Sequence, residues 1–269
     1  MKKLLILFIL LSTFYNFSYS QQFQGTAQGK ALAEATSTLL DINSTHYNIA
    51  GTAFCKLGAI LSYHNKFFIK ELSQKNIATT IPFCNGVLSL SANYYGYKLC
   101  NETQFGLGYA MKLSNKISAG IKINYLNNHI KSETEKHNSI NCETGIIYCP
   151  IKKLKFGAYL YNPTNTQLSN CDSIIPIKIN FGTTYIINSE TEITAEIEKN
   201  SQIDNIIAKI GIKYAINKSL IILCGTRNKP FTISFGSGFY IKNFQIDFSF
   251  SRHELLGWMP SSSVSWNFP

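Results

Sequence analysis

From about Phe54 to the C-terminus, apolar and polar side chains alternate with a period of two. Phe105, Leu107, Tyr109, Met111 and Leu113 interleave with Gln104, Gly106, Gly108, Ala110 and Lys112. Ile117, Ala119, Ile121, Ile123 and Tyr125 interleave with Ser118, Gly120, Lys122 and Asn124. Successive side chains of a strand point to opposite faces, so each segment has one apolar face and one that is small, polar or charged. A soluble sandwich alternates too. Here the pattern recurs in nearly every segment, and the polar face is rich in Gly, Ser, Asn and Lys, which suits a packed or watery lumen. No later stretch approaches the roughly 20 apolar residues of a membrane helix. If the mature chain enters a membrane, it must do so as a closed barrel, because only helices and closed barrels satisfy every backbone polar group there. The charged fraction is 15%, low against a usual ~25%. With an aromatic content of 13%, that fits a lipid-facing surface.

About fourteen such segments fall between Phe54 and Phe268, each roughly nine to eleven residues long, the length a tilted strand needs to cross the hydrocarbon. The first is read as Phe54–Tyr63 and the last as Ser262–Phe268. Short turns rich in Asn, Gly or Ser fall at places such as Cys84-Asn85-Gly86, Ser114-Asn115, Asn188-Ser189-Glu190 and Lys242-Asn243. Mostly longer links lie between them, at His64–Gln74, Gly96–Asn101, Asn128–Asn138, Asn162–Ile175 and His253–Ser261. Alternating short and long links match the periplasmic turns and external loops of outer-membrane barrels, and an even strand count leaves both termini on the periplasmic side. The closing hairpin is the plainest pair. Phe244, Ile246, Phe248 and Phe250 alternate with Gln245, Asp247, Ser249 and Ser251, and Val264, Trp266 and Phe268 with Ser263, Ser265 and Asn267.

The start of the chain is different. Lys2 and Lys3, the apolar run Leu4–Leu11, and the small residues Ser18 and Ser20 before Gln21 make residues 1–20 a signal peptide for Sec export. Residues 21–53 are polar and small, with Ala31, Ala33, Ala35, Leu39 and Leu40 pointing to a short helix, and are expected to fold into the lumen as a plug. The barrel is then 54–269. Removing the signal takes two lysines from a net charge of +10, leaving about +8. The basic residues are scattered singly, and an exported chain meets no nucleic acid, so lipid and lipopolysaccharide are the expected partners, together with other outer-membrane or periplasmic proteins.

Little points to catalysis. There is no phosphate loop, HExxH or GxSxG motif, and no cofactor or metal is expected. His46, His64, His129, His137 and His253 lack ligand spacing, and the seven cysteines show no CxxC pair; most are read as small apolar residues. Glu192, Glu196 and Glu198 share the polar face of one segment, and Lys209 and Lys213 that of the next. If those strands pair, the groups meet inside the barrel as a charge ladder, either bracing the interior or forming a polar constriction. Asp172-Ser173-Ile174, in a long link, resembles a short O-glycosylation motif of exported Bacteroidota proteins.

Several stretches carry a family resemblance. Gly29 and Ala31 lead through Asp41-Ile42 to Tyr47-Asn48-Ile49-Ala50-Gly51. Leu160-Tyr161-Asn162-Pro163, Phe235-Gly236-Ser237-Gly238-Phe239 and the run from Asp247 to Phe268, with Leu256-Gly257, follow. Together they resemble the PorV/PorQ group within the broader FadL-like barrels. Asn48, Ala50 and Gly51 match the plug motif, and Ile49 stands where that family has proline. The resemblance implies an all-β, fourteen-stranded transmembrane barrel of Bacteroidota type with an N-terminal luminal segment. It also implies a non-enzymatic role as a subunit or docking partner of an outer-membrane assembly, such as type IX secretion, or else as a FadL-like channel or carrier for hydrophobic or small solutes.

Overall fold

Each alternating segment pairs with the next in chain order, and the last pairs with the first. The structure is a computed structural model that describes residues 25–130, 137–167 and 175–268. Its strands are β1 (Gly58–Asn65), β2 (Ser73–Phe83), β3 (Gly86–Tyr97), β4 (Cys100–Lys112), β5 (Ile117–Ile130), β6 (His137–Ile151) and β7 (Leu154–Tyr161). There follow β8 (Lys178–Ile186), β9 (Thr191–Asn200), β10 (Ile203–Asn217), β11 (Leu220–Asn228), β12 (Phe231–Ile241), β13 (Phe244–His253) and β14 (Gly257–Asn267). All neighbours run antiparallel, and the barrel closes through β1 and β14, where Gly58 faces Asn267 and His64 faces Ser261. The expected all-β barrel of fourteen strands is the architecture found. Among the described residues no helix is long and apolar enough to cross a membrane.

Burial is inverted relative to a soluble core. Ile121 is 61% exposed on the outer wall while its neighbour Lys122 is 3% exposed inside. Leu61, Phe105, Phe181 and Phe248 continue the outer belt. A continuous apolar band of this kind far exceeds the isolated patches of soluble proteins and is what lipid requires. Aromatic pairs mark its two edges. Phe244 stacks on Trp266 near the short-turn end, with ring centroids 5.8 Å apart, and Phe235 meets Trp258 edge-on at 5.6 Å towards the other end.

Several boundaries move. β1 begins at Gly58, not Phe54, because Ile49–Phe54 is a 3-10 turn belonging to the luminal segment. β14 begins at Gly257, so part of the expected loop His253–Ser261 is strand. Pro260 pairs with Phe250 of β13 just beyond the last β1–β14 pair, His64–Ser261, on what is locally an edge, where proline is tolerated. The expected long link at Gly96–Asn101 is a tight turn instead, because Gly96 takes a left-handed φ of 101° and Tyr97 pairs with Cys100. The helix expected around residues 31–40 is also displaced. Helix α1 is Ala27–Ala31, started by the Thr26 hydroxyl accepting from the Gly29 N–H. Left-handed Ala33 and Glu34, at φ 51° and 66°, turn the chain just beyond it. Cys55, Cys84, Cys142, Cys149 and Cys224 are thiols, not disulfides. The signal peptide and the Asp172-Ser173-Ile174 motif lie outside the described residues.

Candidate functional site

The luminal segment, residues 25–54, is held from two sides of the wall by buried charge. On one side Lys209 of β10 lies 3.0 Å from Glu196 and 2.7 Å from Glu198 of β9. Register explains this: Lys209 faces Glu196, and residues two apart on β9 share the luminal face. The Oε2 of Glu196 accepts the backbone N–H groups of Thr36 and Ser37, both at 2.8 Å, while its Oε1 accepts from Asn180 at 2.6 Å. Lys209 also donates to the Glu34 carbonyl at 3.2 Å. On the other side, Lys122 of β5 donates to the Thr45 carbonyl at 2.9 Å and lies 3.6 Å from Glu143, its register partner on β6. Glu143 accepts in turn from Asn124 at 2.6 Å and from the Tyr159 hydroxyl at 3.1 Å. Buried charges persist when paired and hydrogen-bonded. Here part of that bonding comes from the luminal backbone, so segment and wall depend on each other.

Of the ladder residues, Glu196, Glu198 and Lys209 form this one cluster. Glu192 and Lys213 are opposed in register, yet Glu192 pairs with Lys155 of β7 at 3.3 Å. Sequence reasoning missed Lys122, Glu143, Glu34 and Arg227 as a set. Lys122 and Glu143 occupy inward positions on consecutive alternating strands, which is a findable signal. Glu34 and Arg227 are 193 residues apart, and nothing local connects them.

The residues of the plug motif pack the luminal segment against the wall. Asn48 donates to the carbonyls of Ser37 at 2.6 Å and of Ile146 and Ala158 at 3.3 Å, while its own carbonyl oxygen accepts from Ala50 N–H at 3.1 Å. It thus ties the plug to β6 and β7. Ala50 is fully buried. Gly51 lies against the Leu39 carbonyl and Ser44, with no room for a side chain. Ile49, the departure from the family motif, is fully buried over Gly108 of β4 and Gly120 of β5. Burial and then the Lys122 ammonium push His46 down to about 3, so the imidazole is neutral; neither ring nitrogen has a partner among the described residues. For Glu34, burial alone would raise the carboxyl, but Lys30, Arg227 and Lys209 outweigh it and hold it well below the usual carboxylate range.

The segment separates two cavities. At the loop end a cavity of about 720 Å³ is lined in part by Lys30, Ala33, Glu34, Lys178 and Arg227. At the short-turn end a cavity of about 200 Å³ is lined by Leu32, Thr38, Leu39, Leu40 and Asp41 together with Lys155, Glu192 and Lys213. Residues 32–41 therefore carry one cavity on each side.

No protein-family model matches the sequence, and no curated protein matches it. Solved structures do match. The toluene transporter TbuX of Ralstonia pickettii aligns over 95% of this chain and 100% of its own, with a TM-score of 0.67 at 11% identity. A FadL homologue of Pseudomonas aeruginosa aligns over 93% and 100%, with a TM-score of 0.67 at 10% identity. The fold is that of the FadL-type outer-membrane barrels. The toluene transporter TodX of Pseudomonas putida is similar over 92% of this chain and 99% of its own, with a TM-score of 0.64 at 12% identity. A shared barrel does not carry a shared substrate, because function resides in the site. The FadL-like part of the sequence resemblance agrees with these structures, and the narrower PorV/PorQ and Bacteroidota assignment finds no support in them. This FadL-type barrel also has an outer-wall groove of about 560 Å³ lined by residues including Leu61, Ile77, Ala92, Phe105 and Val264. The ladder beneath it is continuous from β14 through β1, β2 and β3 to β4, so the groove is a dent in the wall.

Proposed function

We propose that this FadL-type barrel sits in the bacterial outer membrane and passes small hydrophobic or amphipathic molecules through its lumen, with residues 32–41 as the barrier. It is a channel or carrier and performs no chemistry on what it passes. One observation carries this: two cavities face each other across a short luminal stretch that hydrogen bonds, not covalent structure, hold to the wall. The transport roles named for similar barrels support it. The outward belt meets lipid and, in the outer leaflet, lipopolysaccharide. The test is uptake of a hydrophobic fluorescent probe by cells whose outer leaflet is lipopolysaccharide. Cells producing the protein should take the probe up faster than cells without it, and equal rates overturn the proposal. The docking reading, as a secretion subunit, rests on the plug motif of Asn48, Ala50 and Gly51. Crosslinking in native membranes that captures no partner removes it.

A further inference from the structure

The floor of the loop-end cavity is a mostly buried ion cluster of Lys30, Glu34 and Arg227. Glu34 lies in the left-handed turn after α1. Its Oε1 takes the Lys30 ammonium, and its Oε2 takes Arg227 Nη1 at 2.9 Å. All three side chains are mostly buried, between 12% and 20% exposed. The cavity above them is lined by Lys30, Lys66, Lys178 and Arg227, and among its described lining residues Glu34 is the one carboxylate, while Glu102 acts on Lys66 and Glu198 on Lys178 from behind the lining. Lys178 has no hydrogen bond or ion pair among the described residues. Nor is Arg227 saturated: Nη2 donates to the Lys229 carbonyl at 3.1 Å, and the buried Nε finds no acceptor among the described residues. A buried donor without an acceptor is costly, and a guanidinium is shaped to bind an oxyanion through more than one N–H. The rim includes the apolar side chains of Phe67, Leu72, Leu256 and Met259.

We propose that this cationic floor is a binding site for an oxyanion, a carboxylate or phosphate group, and that Glu34 fills it as an internal surrogate which the arriving oxyanion displaces. Displacement matters because Glu34 is continuous with what closes the lumen. Its carbonyl is bound by Lys209, and Thr36 and Ser37, two and three residues on, are bound by Glu196. Freeing the Glu34 side chain removes one of the anchors on residues 32–41 and couples ligand arrival to loosening of the barrier. The oxyanion comes either as a free small anion or as the head of an amphiphile whose tail rests on the apolar rim. The proposal rests on the lumen being a route for the consequence of displacement, but the site binds its anion whether or not the lumen conducts. An uptake failure with intact anion binding would sink the transport reading alone.

The test uses the full chain in nanodiscs, with amide hydrogen exchange over residues 33–38 read by mass spectrometry. Inorganic phosphate, dodecyl phosphate and uncharged dodecanol are titrated separately. A saturable rise in exchange with either phosphate and none with dodecanol is expected. A response to inorganic phosphate identifies a free anion, and a response to dodecyl phosphate alone identifies a headgroup. Glu34→Gln removes the competitor and should bind the active phosphate about tenfold more tightly, because the site no longer has to be vacated first. Arg227→Gln should lose the response. An equal response to dodecanol, no response to any probe, or no gain in affinity in Glu34→Gln overturns the proposal. If either variant fails to form the heat-resistant barrel band on gels, the wild-type titration decides alone.

Discussion

Glu196 gathers four donors on two oxygens: the N–H groups of Thr36 and Ser37, the Asn180 amide and the Lys209 ammonium. Two of these belong to the plug, so one wall carboxylate governs how firmly the barrier sits. Replacing one member of a buried ion pair typically costs about 3 kcal/mol, because the remaining charge is left under-compensated. Glu196→Gln should lower amide protection over residues 34–38 by about that amount while the strand amides keep theirs; uniform loss across the barrel would refute a local role. His46 makes the barrier sensitive to acid. Held inside, it titrates near 3, whereas outside it has its ordinary value of 6.5. The released state therefore takes up a proton more readily than the seated one. The plug's hold is full above the ordinary histidine value and is lost as pH falls below it towards 3. Between pH 6.5 and pH 5 the loss is about 2 kcal/mol. Protection over residues 42–48, corrected for intrinsic exchange, should fall over that window in wild type and stay flat in His46→Leu, whose side chain carries neither the proton nor the unpartnered nitrogens. A wild-type profile as flat as the variant's would refute it.

At the level of elements, the plug is seated on glycine. Gly120 faces Gly145, Gly157 faces Gly182 and Gly211 faces Gly225 across neighbouring strands. Each lies beneath a plug atom: Ile49 over Gly120, Asn48 over Gly145, Ser37 over Gly157 and Gly182, and Leu32 over Gly211 and Gly225. A Cβ at Gly157 would strike the Ser37 carbonyl, a backbone atom that cannot rotate aside. Gly157→Val suits a strand by propensity. It should leave the barrel folded, judged by the heat-resistant band on gels, but should lift residues 36–38 and raise probe uptake; unchanged protection there would show that the shelf is not in use. The strands were legible because alternation is a local property, with inside and outside written into every second residue. The seats were half legible. Inward glycines such as Gly108 and Gly120 marked a packed or watery lumen, but which plug atom each one meets depends on register around the whole ring. The expected links at His253–Ser261 and Gly96–Asn101 differ from the structure for the same reason, since whether a strand continues through Pro260 or Gly96 depends on its partner. Glu196, Glu198 and Lys209 were readable as a set because their strands are consecutive. The contact of Glu196 with Thr36 and Ser37 was not, because it spans about 160 residues.

For the molecule as a whole, the question is whether the plug is a core or a gate. A soluble protein that loses its core unfolds. Here the wall does not depend on its contents in that way, because its backbone bonds run strand to strand around a closed ring and its apolar surface is satisfied from outside. The luminal face is lined by residues such as Ser89, Asn124, Gln245 and Ser263, which water can solvate once the plug is gone. Lys122, Lys209 and Glu196 would lose plug partners but keep their ion pairs across the strands, Lys122 with Glu143 and Lys209 with Glu196. Deleting residues 25–53 should therefore leave a heat-resistant barrel whose single-channel recordings show a steady ion conductance absent from the full chain. It should also admit small hydrophilic solutes that the full chain excludes. A deletion that abolishes the barrel would make the plug a core, and the gating reading would fall with it. A deletion that folds but conducts no better than the full chain would place the closure in the wall or the loops. A folded, conducting barrel is the expected outcome, because residues 32–41 are held by a few buried charges and the cavities on either side are already formed.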